Sequence, residues 1–125
     1  MIRSILAIDD SATMRALLHA TLTEAGYDVT VASDGEIGLE VATVVGFDLV
    51  LTDHHMPKKN GLEVIAALRE RAAYESTPIL VLTTEDGDAF KAAAREAGAT
   101  GWIEKPLDPD TLIELVAALA APSHP

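Results

Sequence analysis

The chain contains no cysteine, and it is short of aromatic residues, basic residues and long apolar runs. Without cysteine there are no disulfides, thiolate nucleophiles or zinc sites of the cysteine type, and a reducing cytosol fits this composition. Only 4% of the residues are aromatic, yet 49% of the 125 residues are hydrophobic. That balance is typical of an ordinary globular domain, and a chain of this length can bury a substantial core.

Basic residues are also few. Nine lysines and arginines face 20 aspartates and glutamates, which gives a formal net charge of −11. Nucleic acid and anionic membranes are unfavourable partners for such a chain as a whole. Because the same charge helps to keep a small protein soluble and monomeric, we expect a monomer.

No apolar run approaches the ~20 residues that a membrane-spanning helix needs. The amino-terminal run, Ser4-Ile5-Leu6-Ala7-Ile8, is too short to serve as the core of a signal peptide. We therefore expect a cytoplasmic protein without membrane insertion.

What the chain has instead is a strict alternation of short apolar runs with longer amphipathic stretches. This alternation is typical of repeated βαβ units and predicts one α/β domain over residues 1–121, with a short frayed tail at 122–125. Right-handed crossovers would place five helices on the two faces of a doubly wound, five-stranded parallel sheet. Strands are predicted near 4–9, 28–32, 47–53, 78–83 and 100–104, and helices near 12–25, 35–45, 61–73, 86–97 and 109–121. Ser11 and Asp108 are the predicted N-caps of the first and last helices.

Polar residues stand at or directly after the ends of four predicted strands: Asp9-Asp10, Asp53, Thr83 and Lys105. Ligand chemistry in a parallel sheet collects outside the carboxyl ends of the strands, so we expect these groups to share one crevice. Clustered carboxylates repel one another and raise each other's pKa, a conflict that a hard cation would relieve. Mg²⁺ suits such a site, because it binds one or two carboxylates together with waters and phosphate oxygens.

Asp53 follows the most continuously apolar strand. A carboxylate beside a bound cation can attack phosphorus and form an aspartyl phosphate. Lys105 would neutralise charge on the transferring group, and Thr83 would donate a hydrogen bond to one of its oxygens. Taken alone, Asp9-Asp10 is better explained as an acidic pair that the dipole of a helix N-terminus stabilises, and Thr83 as an ordinary β-branched residue at a strand end. Their combination favours a phosphoryl site.

These motifs, in this order, resemble the receiver domain of two-component response regulators over nearly the whole chain. They are Asp9-Asp10, Asp53-His54-His55-Met56-Pro57 with Asn60-Gly61, Thr83-Thr84-Glu85, and Gly101-Trp102-Ile103-Glu104-Lys105-Pro106. Together with Ala97-Gly98-Ala99-Thr100, they look most similar to the single-domain, CheY-like chemotaxis regulators. The resemblance implies a flavodoxin-like sheet with strand order 2-1-3-4-5 and no effector domain.

The resemblance also implies roles for the site residues. Asp53 would accept a phosphoryl group from a histidine kinase, and Lys105 would pair with that group or, at rest, with Asp53. The peptide bond between Lys105 and Pro106 would be cis. The Mg²⁺ ligands would be Asp10, Asp53 and the backbone carbonyl of His55, with Asp9 acting through water.

Activation in the family implies a switch made of Thr83 and Trp102, which would bias a partner-binding surface on the fourth helix, fifth strand and fifth helix. A flagellar motor switch protein or a phosphatase would be the partner. His55 and Glu85 would tune the lifetime of the phosphorylated state, and His55 stands where asparagine is common, so that lifetime stays open. Glu104 stands where an apolar residue is common, which leaves the partner preference open too.

The sequence alone leaves several alternative functions open. Within the signalling interpretation, a motor ligand, a phosphate sink and a phosphorelay intermediate would share the same site. A Mg²⁺-dependent phosphohydrolase of the haloacid-dehalogenase type would place its nucleophile on the first strand, with a second aspartate two residues later, whereas this chain reads Asp9-Asp10-Ser11. A flavodoxin-like binding module would need a phosphate-cradling loop there instead of an acid pair. His54 and His55 could bind a transition metal, but adjacent residues on a loop rarely chelate one ion together.

Overall fold

The strands and helices alternate as the sequence predicts. A computed structural model describes residues 2–120, so the predicted tail at 122–125 lies outside the described residues. The strands are β1 (Ser4–Ile8), β2 (Asp28–Ala32), β3 (Leu49–Asp53), β4 (Ile79–Thr83) and β5 (Gly101–Glu104). The helices are α1 (Ala12–Glu24), α2 (Gly35–Val44), α3 (Gly61–Arg69), α4 (Asp88–Ala97) and α5 (Pro109–Ala120). Within residues 2–120, no helix has both the length and the apolarity to cross a membrane.

All strand pairs are parallel, and the order across the sheet is β2-β1-β3-β4-β5. The doubly wound sheet and its predicted order are therefore confirmed. The order reverses between β1 and β3, and in open α/β sheets ligands bind at such a point, outside the carboxyl ends of the strands.

Each face of the sheet has its own apolar core. Ile5 and Ala7 point to the core shared with α1 and α5, where Leu18 and Leu112 are buried. Leu6 and its neighbours on the other face pack with α2 and α3. Because both faces are covered, every residue of β3 and β4 is buried. Polar chemistry is left to the ends of the strands.

Both predicted N-caps are in place. The Ser11 hydroxyl accepts a hydrogen bond from the Met14 backbone N–H at 3.2 Å, and the Asp108 carboxylate accepts one from the Asp110 N–H at 3.1 Å. A serine or aspartate in this position satisfies an amide that would otherwise lack a partner at the helix start. α1 and α5 therefore begin at positions that the sequence specifies locally.

α3 is shorter than the sequence predicts. It ends at Arg69 instead of near residue 73, and a short 3₁₀ helix, Ala72–Tyr74, follows. Tyr74 is only 2% exposed, and its hydroxyl donates hydrogen bonds to the carbonyls of Ala42 (2.8 Å) and Val45 (3.1 Å). The break in the helix is what lets this ring enter the core beside α2.

The side chain of Arg69 holds the turn that follows α3. Its guanidinium donates to three backbone carbonyls at 2.6–2.9 Å, those of Tyr74, Thr77 and Gly98. Gly98 lies in the left-handed region at φ 102°, and a Cβ there would meet Arg69 Cγ at 2.7 Å. One arginine thus links the ends of α3 and α4 to the start of β4.

Candidate functional site

The polar residues at the four strand ends converge as predicted. Carboxylate oxygens of Asp9, Asp10 and Asp53 all lie within 4.8 Å of one another. Lys105 Nζ lies 2.8 Å from Asp53 Oδ1 and 3.7 Å from Asp9 Oδ2. Thr83 ends the neighbouring strand β4. One edge of the sheet therefore holds three carboxylates, an ammonium group and a hydroxyl.

Asp9 carries the strongest electrostatic conflict in this cluster. Its side chain is 1% exposed. Oδ1 accepts a hydrogen bond from the Ser11 N–H at 2.9 Å, whereas the buried Oδ2 has no hydrogen-bond partner among residues 2–120. Burial raises the pKa of Asp9, and the charges of Asp53 and Asp10 raise it further, although the Ser11 N–H and Lys105 oppose the shift.

This arrangement fits a hard divalent cation. The buried Oδ2 of Asp9 lacks a hydrogen-bond partner, and within residues 2–120 Lys105 alone forms ion pairs with the three carboxylates, so negative charge is left uncompensated. Oxygen-only donors and an open side toward solvent, where Asp10 is exposed, match the preference of Mg²⁺ for carboxylates and retained waters.

The carboxylate of Asp53 is held in one orientation. Both hydrogen bonds that the described residues direct to it fall on Oδ1, from the His54 backbone N–H at 2.9 Å and from Lys105 Nζ. Oδ2 accepts no hydrogen bond from residues 2–120. Burial alone would lower the pKa of Lys105, but its hydrogen bond to Asp53 and the charge of Asp9 outweigh burial and raise it, so the ammonium group stays charged at neutral pH.

Gly61 lets α3 begin directly against the end of β3. A Cβ at this position would lie 2.5 Å from the Asp53 carbonyl oxygen and 2.9 Å from His54 Cα. The Gly61 N–H donates to the His54 carbonyl at 2.9 Å. The glycine of the Asn60-Gly61 motif is therefore needed for the close packing of α3 against the end of β3, beside Asp53.

Thr83 is fully buried at the end of β4. Its hydroxyl oxygen accepts a hydrogen bond from the Glu85 backbone N–H at 2.9 Å, which leaves the hydroxyl proton available for donation. The Thr83 carbonyl accepts from the Lys105 N–H at 2.9 Å, and the Lys105–Pro106 bond is cis, as the resemblance implied. The backbone thus ties the hydroxyl and the ammonium group to the same corner of the site.

Trp102 lies on β5, half-buried against the core on the α2 and α3 face. Lys91 Nζ and the guanidinium carbon of Arg95 each lie 5.5 Å from its ring centre, within the range of a cation–π contact. Glu104, two residues further along β5, is exposed and pairs in register with Thr83. The tryptophan and the threonine are therefore on adjacent strands.

Two contributors to this site escaped the sequence. Arg15 Nη1 donates to the Asp9 carbonyl at 2.8 Å and so fixes the end of β1 from helix α1. The His54 N–H orients the Asp53 carboxylate. Because this donor is a backbone group, no pattern of side chains in the sequence indicates it. For Arg15, the one available signal in the sequence was its spacing, because it lies six residues after Asp9 and one turn into α1.

Comparison with known proteins matches this geometry to a family. The family model described as "Response regulator receiver domain" matches residues 5–117. The chain is 70% identical to a response regulator protein from Burkholderia multivorans whose solution structure covers 100% of both chains, with a TM-score of 0.85. It is 39% identical to the chemotaxis protein CheY4 of Vibrio cholerae, over 94% of this chain and 98% of that one, with a TM-score of 0.91. A CheY homolog from Campylobacter jejuni is 37% identical over 114 residues, which cover 88% of this chain and 86% of that protein.

The chain belongs to the response regulator receiver domain family. Receiver domains are signalling phosphoacceptors of two-component systems, and they typically bind Mg²⁺ at an acidic pocket such as the one that Asp9, Asp10 and Asp53 form. The resemblance that the sequence motifs carried is therefore confirmed at the level of the family and of the fold.

Proposed function

We propose that this chain is a response regulator that accepts a phosphoryl group on Asp53 from a histidine kinase and then changes its partner-binding surface. The observation that carries the proposal is the Asp53 carboxylate, buried, held by Lys105 through Oδ1 and free at Oδ2. A carboxylate fixed in this way beside an acidic, cation-accepting pocket is suited to nucleophilic attack on phosphorus.

Asp10, Asp53 and the backbone carbonyl of His55 are the proposed direct ligands of Mg²⁺, with Asp9 acting through water. When bound, the ion would offset negative charge on the site and on the phosphoryl oxygens. The unpartnered Oδ2 of Asp9 supports a role for this residue in holding the ion's water shell.

In the proposed transfer, Asp53 Oδ2 forms a bond to phosphorus while the bond between phosphorus and the kinase imidazole nitrogen breaks. The electron pair of that bond stays on the imidazole. Lys105 already donates a hydrogen bond to Oδ1 and is charged at neutral pH, so it compensates the negative charge on the phosphoryl oxygens. The Thr83 hydroxyl acts as the acceptor in its hydrogen bond with the Glu85 N–H, so its proton can be donated to one of those oxygens.

Thr83 and Trp102 are the proposed switch. Phosphorylation adds about −1.5 to −2 charges and three strong acceptors beside Thr83. Movement of its hydroxyl toward those acceptors would release the Glu85 N–H and disturb the adjacent strand that carries Trp102. The stacking of Trp102 under Lys91 and Arg95 of α4 offers a route by which the α4, β5 and α5 surface would change.

His55 and Glu85 are the residues proposed to tune the lifetime of the phosphorylated state, because both are exposed at the mouth of the site.

For the cellular role we favour chemotaxis, in the cytoplasm, with a flagellar motor switch protein as the partner. The names of the Vibrio and Campylobacter relatives support this choice. The relative from Burkholderia multivorans, which is 70% identical, is named only a response regulator protein. The geometry of the site therefore supports a phosphate sink or a phosphorelay intermediate as well as it supports a motor ligand.

The fluorescence of Trp102 tests the proposal, since the chain has a single tryptophan. Mg²⁺ with a small phosphodonor such as acetyl phosphate, or with beryllofluoride, should change the emission. Asp53→Asn should abolish the phosphodonor response, whereas Asp28→Asn, at an exposed aspartate at the start of β2, should retain it. A full response in Asp53→Asn would contradict the assignment.

Turnover separates the switch from a phosphohydrolase. A switch is modified by a phosphodonor and should not release phosphate repeatedly from a generic phosphomonoester. The reactive carboxylate ends the third strand, and not the first strand as the haloacid-dehalogenase pattern requires. Sustained turnover of a phosphomonoester, if the turnover depends on Asp53, would show that the protein is a phosphohydrolase and not a switch.

A further inference from the structure

A second group of ligand atoms lies beside the acidic pocket and has a different chemistry. Ligand atoms of His54, His55 and Glu85 all lie within 4.8 Å of one another. The sequence argument against a metal role for the two histidines was that adjacent loop residues rarely chelate one ion together. The fold adds a ligand from a different segment, because it brings the Glu85 carboxylate, in the loop after β4, against the histidines that follow β3.

We propose that His54, His55 and Glu85 form a binding site for Zn²⁺, distinct from the magnesium pocket. Two imidazoles and one carboxylate are a donor set that binds zinc in proteins and leaves a fourth position open to water. Imidazole nitrogen is a poor ligand for Mg²⁺, which prefers oxygen. The two sites would therefore take different ions from the same solution.

The distances support a shared ion. His55 Nε2 and Glu85 Oε2 are 3.6 Å apart, which is longer than a hydrogen bond. Two ligands of a tetrahedral zinc ion, each ~2.0–2.1 Å from the metal, are separated by roughly 3.4 Å. An ion placed between the two atoms thus needs only a small adjustment of two exposed side chains, which are 61% and 45% accessible.

His54 supplies the rigid side of the site. Its ring packs edge-to-face on Phe90 of α4 at 4.9 Å between centres, and on the His55 ring at 4.7 Å. Its buried Nδ1 has no hydrogen-bond partner within the part of the chain that the structure describes. The ring is therefore positioned by packing, and that nitrogen is not committed to another group.

Binding here would also join two loops that matter to the proposed phosphorylation. His54 follows Asp53 directly, and the Glu85 N–H holds the Thr83 hydroxyl. An ion bridging the histidines to Glu85 would cover the mouth of the pocket and restrain the loop on which Thr83 depends. We therefore infer that bound Zn²⁺ slows phosphorylation, and this second part rests on the proposed function.

Cobalt spectroscopy tests the site without phosphorylation. Co²⁺ is titrated into tag-free protein in excess Mg²⁺, and visible absorption is recorded, because a four-coordinate site with imidazole ligands absorbs far more strongly than a six-coordinate oxygen site. We expect strong bands that Zn²⁺ removes by competition. His55→Ala and Glu85→Ala should each weaken binding by roughly tenfold or more, and His19→Ala, at an exposed histidine on α1, should not.

Asp10→Asn distinguishes the two pockets. If the ion sits on the histidines, this variant keeps the strong bands. Loss of the bands in Asp10→Asn with retention in His55→Ala and Glu85→Ala would assign the metal to the acidic pocket and overturn the proposal. The absence of strong bands in the unaltered protein at micromolar cobalt would overturn it as well.

The inhibitory part has a separate readout. The initial rate of phosphorylation by acetyl phosphate is measured with and without Zn²⁺ in excess Mg²⁺, and the ratio is compared between the unaltered protein and Glu85→Ala. We expect Zn²⁺ to lower the rate in the first and not in the second. An equal effect in both would refute inhibition through this site, while the cobalt result would stand by itself.

Discussion

Lys105 Nζ donates a 2.8 Å hydrogen bond to Asp53 Oδ1, although the two residues are 52 positions apart in the chain. Each sits at the end of its own strand, with β4 between those strands. The contact orients the carboxylate, leaves its second oxygen free and places a positive charge beside it.

Lys105→Met should slow phosphorylation of Asp53 by roughly 100-fold, the scale of losing one preorganised charge-stabilising group. The three carboxylates are unchanged, so Mg²⁺ should still bind. Rates with acetyl phosphate and Mg²⁺ titrations measure the two effects separately. Arg3→Met, which removes a positive charge from an exposed side chain just before β1 and outside the carboxylate cluster, is the charge-matched control. An unaltered rate in Lys105→Met would exclude this role for the ammonium group.

Asp9→Asn should stabilise the protein in the absence of Mg²⁺. Burial and the nearby carboxylates raise the pKa of Asp9, so its ionised form opposes folding, and this opposition grows as pH rises through the folded-state pKa. An amide can still accept from the Ser11 N–H and can donate toward the other carboxylates. We expect the free energy of unfolding to rise at neutral pH in chemical denaturation.

The same variant should be stabilised less by added Mg²⁺ than the unaltered protein, because a ligand that binds only the folded state stabilises it according to its affinity. Asp28→Asn is the control. A loss of stability in metal-free Asp9→Asn would mean that the carboxylate contributes favourable contacts that outweigh the repulsion.

Asp48→Ala should destabilise the protein at neutral pH by roughly 1 kcal/mol. The Asp48 carboxylate accepts hydrogen bonds from the backbone N–H groups of Arg3 (2.9 Å) and Ser4 (3.1 Å), and these lower its pKa. A lowered pKa means stability that is present above the unfolded value near 3.8 and is lost as pH falls through the folded value. The difference between variant and parent should therefore shrink below about pH 4. Urea unfolding across pH measures it, and a constant difference would contradict the assignment.

Arg69→Leu should lower the free energy of unfolding by about 2–4 kcal/mol, because three backbone carbonyls lose a charged donor. Arg69→Lys should recover only part of the loss, since an ammonium group cannot match the planar fork. Arg3→Leu, at an exposed arginine just before β1, is the matched control. Equal stability of the lysine variant and the parent would show that charge alone suffices.

The predictable part of this molecule is the part that the sequence encodes locally. The apolar runs, the caps at Ser11 and Asp108 and the order of the strands follow from periodicity and from the resemblance, and the rule for strand ends predicted that Asp53 and Lys105 meet. The end of α3 was missed because it depends on the burial of Tyr74, a contact with residues about 30 positions away.

The contacts of Arg69 and the approach of Glu85 to His55 were also not predictable. Each joins segments whose separation along the chain carries no signal in a single sequence, and each depends on how loops pack after the sheet has formed. The assignment of the cis bond before Pro106 rested on the family resemblance, because the sequence around a proline does not fix its isomer.

The site of phosphorylation is the most direct test of the proposed phosphoacceptor role of Asp53. The protein is treated with acetyl phosphate and Mg²⁺, and the modified residue is mapped by mass spectrometry of its peptides. We expect one phosphoryl group, on Asp53, that depends on Mg²⁺ and is absent from Asp53→Asn. Modification of another residue in the unaltered protein, or none at all with the protein folded and Mg²⁺ bound, would contradict it.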